Sequence, residues 1–226
     1  MSLYSKSLLG AAALAGLMVF AGAAEASAII QYSTNGGATW TGVTQGSDVT
    51  DGSLTLLSIS ANSLNGPPVS TLSGTILEAV NTGSSAVSVG IRVSSTGYTY
   101  PVAGAFSLLS NHVGGTTSTG TGTLSQYSCY DSSNTLFACP VITPTAQPNL
   151  SSPTGSWNAT TSLSFVPTSS MYSLSDFQTL NIDGHSTLGW QASTTLRAVP
   201  EPASLALFGA ALAALGVFFI RRRQVC

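Results

Sequence analysis

Two histidines, His112 and His185, and six carboxylates, Asp48, Asp51, Glu78, Asp131, Asp176 and Asp183, are the side chains between residues 29 and 198 suited to proton transfer. A Ser-His-Asp hydrolase marks its nucleophile with a strained turn such as Gly-x-Ser-x-Gly, and the chain has none. A glycosidase needs two carboxyl groups roughly 5 to 9.5 Å apart. Here Glu78 is the single glutamate of that stretch, and the aspartates mostly stand where turns favour them. His185 directly follows Asp183-Gly184, so a turn accounts for its position, and His112 sits beside Asn111 with no partner in sight. No catalytic residue is assigned and no enzyme is expected. A secreted hydrolase returns as a reading only if the fold carries His112 or His185 to a carboxylate.

Metal chemistry has equally little to work with. No second Cys or His stands at ligand spacing, so no metal or other cofactor is expected. The run Asp48-Val49-Thr50-Asp51-Gly52 could offer oxygens to Ca²⁺, but an Asx-stabilised turn explains it more simply. In an oxidising compartment Cys129 and Cys139 would close a loop of about ten residues, and a disulfide is expected there in preference to two free buried thiols. Trp40, Trp157, Tyr98, Tyr100, Tyr127 and Tyr130 could stack on sugars, although sandwich aromatics mostly serve the core. Trp157, inside a proline-rich stretch, is expected to be the exposed one and the ligand platform. Ser193-Thr194-Thr195 hints at an ice-binding ladder, but no regular Thr-x-Thr array follows.

The elements that must hold these residues read as strands. Val87, Val89, Ile91 and Val93 alternate with Ser88, Gly90, Arg92 and Ser94, a period of two with one buried face. Leu54 and Leu56, then Leu57 and Ile59, keep that period with a one-residue slip of the kind a β-bulge produces. Residues 71–80 form a further strand candidate ending at Asn81-Thr82-Gly83-Ser84. Residues 172–182 and 185–196 flank Asp183-Gly184, which predicts a two-residue hairpin with Phe177 opposite Trp190. Leu180 and Ile182 then fall on the wrong face, so that register is imperfect. Residues 140–158 hold four prolines and read as a long ordered loop or an insertion. The expectation is an all-β antiparallel sandwich or jelly-roll-like body, one domain over residues 29–198.

Charge narrows the partners. The body sets six acids against Arg92 and Arg197, and no lysine occurs after Lys6. It cannot neutralise several phosphates, so nucleic acid is excluded as a partner.

Both ends read as addresses. Residues 1–28 run from Lys6 through an apolar stretch to Ala26-Ser27-Ala28, the small-x-small pattern of signal-peptide cleavage. Residues 203–220 carry no charge and, as a helix, would be about 27 Å long, enough to span a bilayer. Arg221, Arg222 and Arg223 would hold its far end in the cytoplasm and leave the body outside. Pro200 and Pro202 keep residues 199–201 extended and accessible.

With Val199-Pro200-Glu201-Pro202, an apolar helix and three arginines, residues 199–226 resemble the PEP-CTERM sorting signal of Gram-negative bacteria, also catalogued as an ice-binding-protein C-terminal domain. The resemblance implies recognition by exosortase, with Glu201 as the recognition element, and cleavage near Pro-Glu-Pro after signal peptidase has acted. The chain is then expected to be exported, anchored transiently in the inner membrane with its body periplasmic, and released to the cell surface or extracellular matrix. Its expected role is structural, in a biofilm or exopolysaccharide matrix; the alternative is a carbohydrate-binding surface module.

Overall fold

The structure, a computed structural model, describes residues 27–199. The expected signal helix with Ala26, the sorting residues Pro200, Glu201 and Pro202, the helix over 203–220 and Arg221, Arg222 and Arg223 lie outside the described residues.

Twelve strands make up the body: β1 (Ile29–Ser33), β2 (Thr41–Val43), β3 (Ser47–Asp51), β4 (Leu54–Leu64), β5 (Val69–Asn81), β6 (Val87–Tyr98), β7 (Ser107–Thr119), β8 (Gly122–Asp131), β9 (Val141–Ile142), β10 (Gly155–Phe165), β11 (Tyr172–Ile182) and β12 (Ser186–Ala198). They form two six-stranded antiparallel sheets. Sheet I has the order β2-β1-β6-β11-β8-β9 and sheet II the order β10-β7-β12-β5-β4-β3. The apolar half of each alternating strand faces the other sheet. Val89, Ile91 and Val93 of β6 meet Leu72, Ile76 and Leu56 of sheet II within one core. The slip in β4 is real: Ser58 has φ 49, and the β3 register jumps from Ser47↔Ile59 to Val49↔Leu56.

From β5 to β8 and from β10 to β12, every connection crosses from one sheet to the other. This corrects the expected hairpin at Asp183-Gly184. β11 and β12 both exist, but β11 lies between β6 and β8 while β12 lies between β5 and β7. Phe177 therefore pairs with Arg92 and Tyr127, and Trp190 with Ile76 and Gly115. The physical reason is that Leu180, Ile182, Leu188 and Trp190 are all buried, and folding both arms face to face across the core covers them where one hairpin would not. Asp183-Gly184 is an arch at one end of the sandwich. There the His185 N–H donates to the Gly83 carbonyl at 3.0 Å, and Asn81 Nδ2 donates to the carbonyls of Ile182 and Asp183.

Residues 140–158 are also more ordered than a loop. β9 pairs with β8, Ala146 bridges to Gln126, and Gly155 already begins β10, an edge strand. The prolines stand between these short pairings, where no ladder N–H is needed.

The core is not wholly apolar. Asp176 of β11 points inward, fully buried, and accepts hydrogen bonds from Gln126 Nε2, from Gln178 Nε2 at 2.6 Å and from Thr194 Oγ1 at 3.1 Å. Trp190 Nε1 donates to Gln178 Oε1 at 2.6 Å, and Ser128 Oγ meets Thr194 Oγ1 at 2.6 Å. Burial pushes the Asp176 carboxyl above its usual range, with the bonds from Gln126, Gln178 and Thr194 opposing the rise. The Thr194–Asp176, Thr194–Ser128 and Trp190–Gln178 bonds run between the sheets and help set how one sheet sits on the other.

Candidate functional site

The concentration of chemistry lies on the outer face of sheet I, around Arg92. Arg92 occupies an outward position of β6, opposite Gln31 of β1 on one side and Phe177 of β11 on the other. Gln31 Oε1 accepts its Nε–H at 2.7 Å. The guanidinium carbon stands 4.2 Å from the centroid of Trp40 and 4.2 Å from that of Phe137, so an aromatic ring covers each side. Among the described residues no hydrogen bond reaches its terminal nitrogens. Beyond Arg92 the row continues with Phe177 and Tyr127, whose rings stack at 5.0 Å and 13°.

Each flank is held by its own local structure. Trp40 follows a turn built on Asn35, whose Oδ1 accepts the Thr39 N–H at 3.0 Å and whose Nδ2 donates to Thr39 Oγ1 at 2.7 Å. The indole then lies over Gly90, where a Cβ would come within 3.0 Å of its Cη2. Phe137 belongs to the segment closed by Cys129 and Cys139, which are disulfide-bonded with Cα atoms 4.9 Å apart. Within that segment Asp131 accepts from Ser133 N, Ser133 Oγ and Thr135 N, and Asn134 Oδ1 accepts the Gly97 N–H at 2.8 Å. The Phe137 N–H donates to Ser94 Oγ at 3.1 Å, with φ 60. Burial alone would raise the Asp131 carboxyl, but the bonds from Ser133 and Thr135 outweigh it and hold it below the usual range. The disulfide loop thus delivers one ring to Arg92.

Burial lowers the Arg92 pKa, yet arginine stays cationic at physiological pH. The Tyr127 phenol is pushed up by burial and then by Asp176 beneath it. A cation clamped on both faces, with its outer edge open, suits a planar anion such as a carboxylate, which two parallel N–H donors can bind together.

The expected platform is corrected. Trp157 is only 8 % exposed, and its Nε1 donates to Thr117 Oγ1 at 3.1 Å. It covers Gly115, where a Cβ would lie 2.8 Å from Trp157 Cζ2, 2.8 Å from Trp190 Cβ and 2.2 Å from the Gly189 carbonyl oxygen. Its indole fills a space that glycine leaves, so neither ring face is free for a sugar. Tyr98 and Tyr130 are core residues packed on Tyr172. Of the aromatics read in the sequence, Trp40 and Tyr127 reach the site; Arg92, Phe137 and Phe177 were missed. One cue existed for Arg92, a lone cation at an outward position of the cleanest strand.

The remaining candidates scatter. His112 is exposed on the outer face of sheet II beside Thr160 Oγ1 at 2.8 Å, and His185 lies at the arch. Neither is hydrogen-bonded to a carboxylate among the described residues. Asp48 accepts the Ser58 N–H and Asp51 the Thr34 hydroxyl, so the Asp48–Asp51 run braces strands and a loop.

Val199 ends the described chain, its N–H bonded to the Phe106 carbonyl at 2.8 Å, one residue after β12. From there the sequence runs into Pro-Glu-Pro, the apolar stretch and the arginines, and the family of the PEP-CTERM protein-sorting motif matches residues 198–223. The chain carries a PEP-CTERM sorting motif. A PEP-CTERM motif implies export and processing by exosortase. No curated protein matches the chain. Among solved structures it is similar to the enzymatically active domain of bacteriophage CBA120 tailspike protein 4, with TM-score 0.27 and 12 % identity over 65 % of this chain. It spans 19 % of that chain. It is also similar to a carbohydrate-binding module that recognises mannan, with TM-score 0.28, 10 % identity, and coverage of 65 % of this chain and 90 % of that one. Likenesses of this size carry no argument about ligand or activity.

Proposed function

We propose that this is a non-catalytic surface or matrix protein, anchored for a time in the inner membrane by its PEP-CTERM tail, cleaved by exosortase near residues 199–202, and left in contact with exopolysaccharide through the Arg92 row. The observation that carries the carbohydrate part is the clamp: Trp40 and Phe137 each 4.2 Å from the Arg92 guanidinium, beside the stacked Phe177 and Tyr127. Acidic polysaccharides offer carboxylates for the cation and pyranose rings for the aromatic edges. The rest of the body sets six acids against Arg197, so its net charge opposes such a polymer and the contact rests on the local clamp at Arg92.

Two measurements test the two halves separately. Mass spectrometry of the mature protein is expected to find a carboxyl terminus within residues 198–202; an intact terminus at Cys226 in cells that contain exosortase overturns processing. Affinity electrophoresis of the full chain in polygalacturonate, with dextran as the neutral control, is expected to show retardation by the acidic polymer that Arg92→Gln abolishes. Equal mobility in both gels overturns the carbohydrate reading and leaves the sorting reading standing.

A further inference from the structure

The two ends of the sandwich differ in chemistry, and the tail leaves from one of them. At the exit pole the connections β4–β5, β6–β7 and β10–β11 meet the end of β12. They are bonded to one another: the Gly104 N–H donates to the Pro167 carbonyl at 2.9 Å, the Val199 N–H to Phe106, and Ser70 Oγ to the Tyr100 carbonyl at 2.5 Å. This rim exposes Leu64, Val102, Phe106, Val166 and Met171, with Val102 63 % and Phe106 51 % exposed. Arg197 is exposed beside it, and the carboxylate at this pole among the described residues, Asp131, is buried and capped by Ser133 and Thr135. The opposite pole, about 40 Å away along the 13 residues of β12, carries the exposed Asp51 and Asp183.

We infer that before cleavage the exit pole rests on the outer surface of the inner membrane, with the apolar rim dipping into the lipid interface. This inference rests on the reading that residues 203–220 span the bilayer. Chain length then decides the geometry. Residues 199–202 reach at most about 14 Å when extended, and roughly 5–8 Å of that is used in crossing the headgroup layer. The rim is thereby held within a few ångströms of lipid. Apolar side chains grouped at such an end gain by leaving water, Arg197 tolerates anionic headgroups, and the exposed Asp51 and Asp183 stand at the far end, beyond the Debye length of about 8 Å at physiological ionic strength. Cleavage would free the pole together with the tail. A lipid surface is the committed partner because the tether brings it there without any further component.

Site-specific fluorescence in the full chain tests this. In a Cys226→Ser background, single cysteines at Val102→Cys, Phe106→Cys and, as the far-pole control, Thr121→Cys are labelled with an environment-sensitive dye. The proteins are inserted in phosphatidylcholine vesicles carrying headgroup-region spin-labelled lipid. Labels at 102 and 106 are expected to lose at least half their emission while the label at 121 keeps its own. Equal, unquenched emission at all three positions overturns the inference, provided a label at Leu212→Cys is quenched by lipid spin-labelled at the bilayer centre. If the label at 212 is not quenched, the spanning reading fails and takes this inference with it. Protection of 102 and 106 that appears only in membranes containing exosortase also overturns it, because the partner would then be protein.

Discussion

The outer faces of the two sheets are built from the same alternating strands, yet they carry opposite chemistry. On sheet II a transverse row reads Thr160, His112, Ser193, Ser73 and Asn62, and its neighbours are equally polar and small. Each of these residues is the next outward position of its own strand, so local alternation suffices to produce the row. On sheet I the equivalent row reads Gln31, Arg92, Phe177 and Tyr127, with Trp40 and Phe137 laid over it from two loops. A polar sheet face needs only periodicity, whereas a site needs loops anchored from elsewhere.

The strongest test of that contrast is Gly115→Val. The added Cβ meets the Gly189 carbonyl oxygen at 2.2 Å and two tryptophans at 2.8 Å. Sheet II has no flexible neighbour there to give way, so urea denaturation is expected to show a loss of more than about 4 kcal/mol or no cooperative transition. Asp176→Leu comes next. It removes the acceptor shared by buried donors of Gln126, Gln178 and Thr194, leaves Gln178 Nε2 unpaired, and is expected to cost roughly 3 kcal/mol by the same measurement. The wild-type carboxyl gives a pH signature of definite sign. Its folded pKa lies above its unfolded value of 3.8, so the folded state binds more protons between the two. Stability therefore falls as pH rises from about 4 through the folded pKa, and Asp176→Asn is expected to flatten that slope.

Cys129→Ala with Cys139→Ala separates the sheets more finely. Opening the loop is expected to lower stability by about 2–3 kcal/mol and to abolish retardation in polygalacturonate, because Phe137 is no longer held over Arg92. Unaltered retardation would show that the ring is unnecessary. Arg92→Lys should shift the unfolding midpoint little, by less than about 1 kcal/mol, while weakening retardation severalfold, since an ammonium cannot make the paired contact. Thr195→Val on sheet II marks the floor: within about 0.5 kcal/mol in stability and no change in retardation. A Thr195→Val protein that lost polymer binding would move the site to the other face.

How much was legible depended on range. The strand of Val87, Val89, Ile91 and Val93, the bulge near Ser58 and the PEP-CTERM motif were all readable, because each is a pattern within about a dozen neighbouring residues. Trp157 was misread for the same reason. Its proline-rich surroundings suggested exposure, whereas its burial depends on Gly115 and Trp190, contributed by two other strands. Asp176 resembled any strand-borne aspartate until Gln126, Gln178 and Thr194 closed on it from both sheets.

Taken alone, the order of residues determined an all-β body of low charge, a sorting motif at its end and the alternation that makes both outer faces. Which sheet each strand joined was left to tertiary structure. Asp183-Gly184 is compatible with a hairpin and with an arch, and burial of the apolar faces of β11 and β12 against each other selected the arch. That choice set Phe177 beside Arg92 rather than Trp190, and with it the only clustered aromatic and cationic surface among the described residues. Local pattern fixes which face of a strand is apolar; which partner covers that face is decided by the free energy of the assembled core.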